Sequence, residues 1–141
     1  MSNQAFRILV VDDESIIVQF MQSFIGADAQ AYQVKTAVTG DDAVKQATQF
    51  RPHVVVLDIG IPGKDGYEVC ETILSDPQCK HTIILGMTGK PEQEAHDRIM
   101  ACGAADCLLK PFDFQAFSKQ LREYAEESQR LEAGEKVANH Y

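Results

Sequence analysis

Acidic side chains gather at two places where a β-branched run stops. Asp12, Asp13 and Glu14 follow Ile8-Leu9-Val10-Val11, and Asp58 follows Val54-Val55-Val56-Leu57. Thr88 closes a third run of the same kind, and Lys110, followed by Pro111, closes a fourth. Carboxylates held together repel one another, and a hard divalent cation such as Mg²⁺, which takes oxygen ligands, relieves that repulsion. A carboxylate can also attack phosphorus to give an acyl phosphate. A lysine ammonium and a threonine hydroxyl can steady the oxygens of a phosphoryl group in transfer. Each residue also has a plainer reading. Asp12-Asp13 could be a helix N-cap, Asp58 a turn residue, Thr88 a structural strand end and Lys110 a surface lysine. The combination at successive strand ends is what favours chemistry over those readings.

Five short strands and five helices are needed to bring these residues together. Arg7 to Val11 reads as a buried strand, and Ile16, Ile17, Phe20, Met21 and Phe24 mark one face of a following helix. Tyr32 to Val38 is a more polar strand suited to a sheet edge. Thr39 with Asp42 forms a capping pattern for a helix with Ala43, Val44 and Ala47 inward. Val54 to Leu57 is the clearest central strand, and Pro62-Gly63 and Asp65-Gly66 punctuate the loop after it. Asp65 and Glu68 cap a helix carrying Val69, Cys70, Ile73 and Leu74. Thr82 to Met87 is the fourth strand. Pro91 opens a helix that Gly103 ends. Cys107 to Leu109 is the fifth strand, and Asp113 caps a last helix with Phe114, Phe117, Leu121 and Tyr124 inward. Alternating β and α units imply a parallel sheet covered on both faces. In such a sheet all carboxyl ends share one edge, where ligands bind.

Composition sets the class. The chain has 141 residues, 45% of them hydrophobic and 24% charged, which suits one globular domain with a real core. No apolar run approaches the ~20 residues of a membrane span, and Met1 to Arg7 lacks the pattern of a secretory signal. A cytoplasmic protein without membrane contact is expected. A net charge of −8 with no basic stripe argues against direct nucleic-acid binding. Cys70, Cys79, Cys102 and Cys107 show no C-x-x-C spacing and read as small apolar side chains. The histidines at 53, 81, 96 and 140 are scattered, so no His/Cys metal cluster is expected. From about Glu126 the sequence turns polar. Residues 1–125 are read as the domain, and 126–141 as a frayed helix end with a flexible tail, a candidate linker.

Five segments in order carry a family resemblance: VVDDE at 10–14, VVVLD at 54–58, IPGKDG at 61–66, MTG at 87–89 and GAADCLLKPF at 103–112. The set resembles the receiver domain of two-component response regulators across roughly Phe6 to Tyr124. The resemblance implies a flavodoxin-like (βα)5 fold with strand order 2-1-3-4-5. It implies that Asp58 accepts a phosphoryl group from a histidine kinase or a histidine phosphotransfer protein. Asp13 and Asp58 would ligate Mg²⁺ directly, Asp12 mainly through water, and the Gly60 carbonyl would be a further ligand. Thr88 and Lys110 would contact the phosphate, and the peptide bond before Pro111 would be cis. The chain would catalyse only its own Mg²⁺-dependent phosphorylation and dephosphorylation, switch a protein-interaction face toward an unidentified downstream target, and exist as a monomer or weak homodimer.

One position departs from the family pattern. Cys107 stands where an aromatic switch residue usually sits, so Thr88 and the loop after it are expected to carry the switch with smaller motions. Gly60 and Lys90 flank the path of a hydrolytic water. Gly60 neither blocks nor orients that water, and Lys90 could shield the phosphate. Two rival functions remain open at this level. An aspartate-nucleophile phosphatase would need a second acid, commonly as Asp-x-Asp, whereas Asp12-Asp13 are adjacent. A non-phosphorylated interaction module would not require the Asp-Thr-Lys set.

Overall fold

The computed structural model describes residues 5–27, 31–61, 65–89, 92–110 and 113–138, with side chains to residue 134. The chain alternates without exception. Its elements are β1 Phe6–Val11, α1 Ser15–Gly26, β2 Tyr32–Ala37, α2 Gly40–Phe50, β3 Val54–Asp58, α3 Gly66–Ser75, β4 Ile83–Thr88, α4 Gln93–Ala101, β5 Asp106–Leu109 and α5 Phe114–Ala138. A short 3₁₀ turn, Pro77–Cys79, precedes β4. The strands pair in parallel in the order β2-β1-β3-β4-β5, the flavodoxin-like topology expected.

Strand alternation divides the core in two, because successive side chains point to opposite faces. Leu9, Val11, Val55 and Leu57 pack with Ala43, Ala47, Val69, Ile73 and Ile99 from α2, α3 and α4. Ile8, Val10, Val54 and Val56 pack with Met21 and Ile25 of α1 and with Phe117, Leu121 and Ala125 of α5. β3 is buried along its whole length, which explains why its sequence is a continuous apolar run.

The expected caps form. Thr39 Oγ1 accepts from Asp42 N at 3.2 Å, Asp65 Oδ1 from Glu68 N at 2.8 Å, and Asp113 Oδ1 from Gln115 N at 2.9 Å. Gly103, with φ +110°, follows α4. The readings of Pro62-Gly63, Lys90, Pro91 and the Lys110–Pro111 peptide bond fall partly or wholly outside the described residues. All four cysteines are free; Cys70 and Cys79 are buried, while Cys102 and Cys107 are only partly so. Among the described residues, no helix is long and apolar enough to cross a membrane.

Two expectations need correction. The inner face of α1 is Val18, Met21 and Ile25, whereas Ile16 is 79% exposed and Phe20 and Phe24 are only partly covered. This helix is apolar nearly all round, so periodicity alone could not choose the face that meets the sheet. Phe20 and Phe24 instead gather around Phe114 of α5, with ring centroids 4.7 and 5.2 Å apart. The last helix does not fray near Glu126 either. It runs unbroken to Ala138, because its inward stripe continues with polar residues that find partners, Ser128 and Glu132.

Gly66, the first residue of α3, packs tightly against Ile59, the residue after Asp58. Its amide donates to the Ile59 carbonyl at 3.2 Å, and a Cβ there would lie 2.6 Å from Ile59 Cα. Gly66→Ala is therefore expected to destabilise the fold by about 1–3 kcal/mol in urea unfolding. Gly60→Ala, whose Cβ would meet, among the described residues, only Asp58 Oδ1 at 3.7 Å, should leave the midpoint nearly unchanged.

Candidate functional site

Strand register, rather than sequence proximity, builds the site. Val11 pairs with Leu57, so Asp12 and Asp58 leave adjacent strands at the same level. Asp58 pairs with Met87 and Thr88 with Leu109, so Thr88 and Lys110 follow one step later on the same edge. The ladder is sealed here by further backbone bonds: Asp12 N to Ala37 O, Ile59 N to Met87 O and Lys110 N to Thr88 O, at 3.1, 3.0 and 2.7 Å.

The side chains meet. Lys110 Nζ lies 2.7 Å from Asp12 Oδ2, 3.5 Å from Asp58 Oδ2 and 3.8 Å from Glu14 Oε1. Asp12 is fully buried and Asp58 only 8% exposed. The second oxygen of each is held by a backbone amide. Asp12 Oδ1 accepts from Glu14 N at 2.9 Å and Asp58 Oδ1 from Gly60 N at 3.0 Å. Carboxylate oxygens of Asp12, Glu14 and Asp58 all lie within 4.8 Å of one another.

Asp13, expected as a direct ligand, is exposed and stands outside that trio, while Glu14 stands within it. The odd spacing of the run Asp12-Asp13-Glu14 is the signal. Asp12 already turns the chain into α1, so the next residue faces outward and the one after returns. Gly60 is placed by its amide contact to Asp58, and Thr88 sits half-buried at the end of β4.

The electrostatics follow from this crowding of acids. Burial and the neighbouring charge of Asp12 push the Asp58 carboxyl above its ordinary range, against the Gly60 amide and Lys110, which pull it down. Burial works against the Lys110 ammonium, yet its hydrogen bond to Asp12 and the charges of Asp58, Asp12 and Glu14 outweigh burial and raise its pKa. Among the described residues, three carboxylates face one ammonium, a formal excess of two negative charges. The donors on offer are hard oxygens. The pocket therefore fits Mg²⁺ and, once the cation balances it, an aspartyl phosphate. Lys110 partly fills the cation's electrostatic role among the carboxylates.

The comparisons point the same way. The family model described as the response regulator receiver domain matches residues 8–122. The response regulator PleD of Caulobacter vibrioides is 34% identical over 107 residues, 76% of this chain and 23% of that protein. The alkaline phosphatase synthesis transcriptional regulatory protein PhoP of Bacillus subtilis is 38% identical over 108 residues, 75% of this chain and 42% of that one. The chain thus spans less than half the length of these two curated relatives. Among solved structures, the chemotaxis protein CheY4 of Vibrio cholerae superimposes with a TM-score of 0.75 at 32% identity, covering 85% of this chain and 98% of that one. The signal receiver domain of a DNA-binding response regulator from Colwellia psychrerythraea 34H gives 0.79 at 30% identity, covering 86% and 98%. An acidic pocket at the carboxyl edge of a 2-1-3-4-5 sheet, inside a match that takes in most of the sequence, leaves one assignment: the chain belongs to the response regulator receiver domain family.

Proposed function

We propose that the chain accepts a phosphoryl group on Asp58 from a phosphohistidine of a histidine kinase or histidine phosphotransfer protein, and that the modification alters a protein-interaction face. The observation that carries this reading is Lys110 Nζ bridging Asp12 and Asp58 in a pocket of clustered carboxylates. An Asp58 oxygen attacks phosphorus. The new O–P bond forms as the N–P bond of the donor breaks, and the donor's imidazole nitrogen keeps the bonding electron pair. The Gly60 amide holds Oδ1 and so fixes the carboxylate plane. Lys110 has a long flexible stem and needs only a short movement from Asp12 to meet a phosphate oxygen. Thr88, one step past the residue paired with Asp58, offers its hydroxyl from the neighbouring strand.

Asp12, Asp58 and the Gly60 carbonyl would hold Mg²⁺, with Glu14 at the rim, and Asp13 would join on turning inward. Mg²⁺ supplies charge neutralisation for the phosphoryl oxygens when bound. Hydrolysis of the acyl phosphate returns the carboxylate, so the chain acts once per signal instead of turning over an external ester. In β5, Cys107 packs as a half-buried side chain against the core cluster that includes Ile84 and Ile99. It has no ring to swing between buried and exposed positions, so Thr88 and the backbone after β4 carry the response.

Incubation with a small phosphodonor and Mg²⁺ should add one phosphoryl mass to the wild type and none to Asp58→Asn. Steady release of phosphate without a labelled protein species would indicate a hydrolase, and an unchanged mass in both proteins an inert module. The Asp58 pKa is raised in the fold, so its ionised form opposes folding at neutral pH, and that cost fades as pH falls through the raised value. Asp58→Asn should therefore be more stable than wild type at pH 7 without Mg²⁺, by about 1 kcal/mol for one relieved like-charge contact. Mg²⁺ at tenfold its Kd should add about 1.4 kcal/mol to the wild type and less to the variant, in urea unfolding. Structures with and without a phosphate mimic should differ between residues 86 and 108. Superposition throughout that stretch would exclude the Thr88 switch.

A further inference from the structure

We propose that Glu132 and its partners form a proton-operated latch: proton uptake at His53 releases the second half of α5, from Glu126 to Ala138, from the sheet edge opposite Asp58. The inward stripe of α5 changes character along its length. Phe117, Leu121 and Ala125 are buried apolar residues. One turn further the stripe becomes Ser128 and then Glu132. Ser128 Oγ donates to the His81 carbonyl at 2.6 Å. Glu132 accepts from Arg7 Nη2 at 2.6 Å and from His53 Nε2 at 3.1 Å, and it lies 3.3 Å from His81 Nε2. The first half of the helix is thus held by apolar burial, which is indifferent to pH. The second half is held at these inward positions by polar contacts, which are not.

Residues from four places meet in the latch. Arg7 comes from β1, His53 from the residue before β3, His81 from just before β4 and Glu132 from α5. Arg7 is further tied by Nε to the carbonyls of Phe50 and Arg51, at 3.1 and 3.0 Å. His81 Nε2 also lies 3.3 Å from the Arg51 carbonyl. The rings of His53 and His81 pack edge to face with centroids 5.9 Å apart. Both histidines are buried.

Hydrogen bonding decides the proton position on His53. The Arg7 amide donates to Nδ1 at 2.9 Å, so Nδ1 is an acceptor and Nε2 carries the hydrogen given to Glu132. A second proton must go to Nδ1, where an N–H already points. It would break that bond and place a buried cation beside the Arg7 guanidinium. Glu132 would attract the new charge, but it already serves Arg7. In keeping with this geometry, burial first and Arg7 second hold the His53 pKa below its usual value, although Glu132 pulls the other way.

The sign follows. A histidine whose pKa is lowered in the closed state lends its full support above the pKa of the open state, about 6.5 for a free imidazole. That support is lost as pH falls from there through the lowered value. Glu132, whose carboxyl Arg7, His81 and His53 hold low against the effect of burial, loses its own contribution only at more acid pH. Of these two, His53 is therefore the group that opens the latch first.

His53 and Asp58 lie at opposite ends of β3, roughly 16 Å apart along the strand, so the latch can open without disturbing the phosphoryl pocket. The test is amide hydrogen exchange of the whole chain at pH 7.5 and 5.5, corrected for intrinsic exchange rates. In the wild type, amides of residues 128–134 should lose protection at pH 5.5 by up to about tenfold, the ceiling for one imidazole that titrates near 6.5 when open, while residues 117–125 and the strands keep theirs. His53→Gln keeps a donor toward Glu132 without titrating, and should show no such change between the two pH values. Glu132→Gln should be open already at pH 7.5 in the same segment, with residues 117–125 still protected. Equal protection of 128–134 at both pH values in the wild type would overturn the proposal. So would a pH response kept in His53→Gln, full protection in Glu132→Gln, or a loss that spreads through the whole sheet at once.

Discussion

Asp12 and Asp58 stand side by side, nearly out of water, and among the described residues the Lys110 ammonium and two backbone amides balance them. Like charges so placed are costly in a low dielectric, and that cost governs the rest of the site. It draws in the ammonium, makes oxygen-seeking cations welcome and gives any arriving phosphoryl group a lysine already close by. β3 is buried on both faces and bonded in register to β1 and β4, which fixes the backbone positions from which both carboxylates project.

The opposite edge of the same sheet solves a different problem with similar materials. There a single carboxylate, Glu132, is shared by Arg7 and two buried histidines. Among the described residues no buried side-chain nitrogen or oxygen lacks a hydrogen-bond partner, so the polar stripe on α5 carries no penalty of unsatisfied groups. At the carboxyl edge the charges are left unbalanced, which leaves room for a ligand. At the amino edge they are satisfied internally, which fastens a helix. Asp58 and His53, five residues apart on one strand segment, belong to these two regimes.

The elements were readable because each rests on local rules. The unbroken apolar run of β3 announces burial on both faces, and Thr39 with Asp42, or Asp65 with Glu68, announce helix starts through bonds that span three residues. Local rules are silent where packing alone chooses between faces. α1 offers two apolar faces, so the choice of Val18, Met21 and Ile25 needed the sheet as arbiter. Glu14 was visible as an acid but not as a pocket member. Its return toward Asp58 depends on how Asp12 turns the chain into the helix.

From the order of residue types alone come five β-α units, the strand ends that carry Asp12, Asp58, Thr88 and Lys110, and the family they resemble. Those follow from periodicity and from chemistry placed at strand ends, both of which are written along the chain. Tertiary structure alone decided that α5 runs on past Glu126, that scattered His53 and His81 meet Glu132, and that Lys110 rests on Asp12 more closely than on Asp58. Each depends on distances between segments 30 to 125 residues apart. Such separations are set by packing and strand register, which no local pattern encodes.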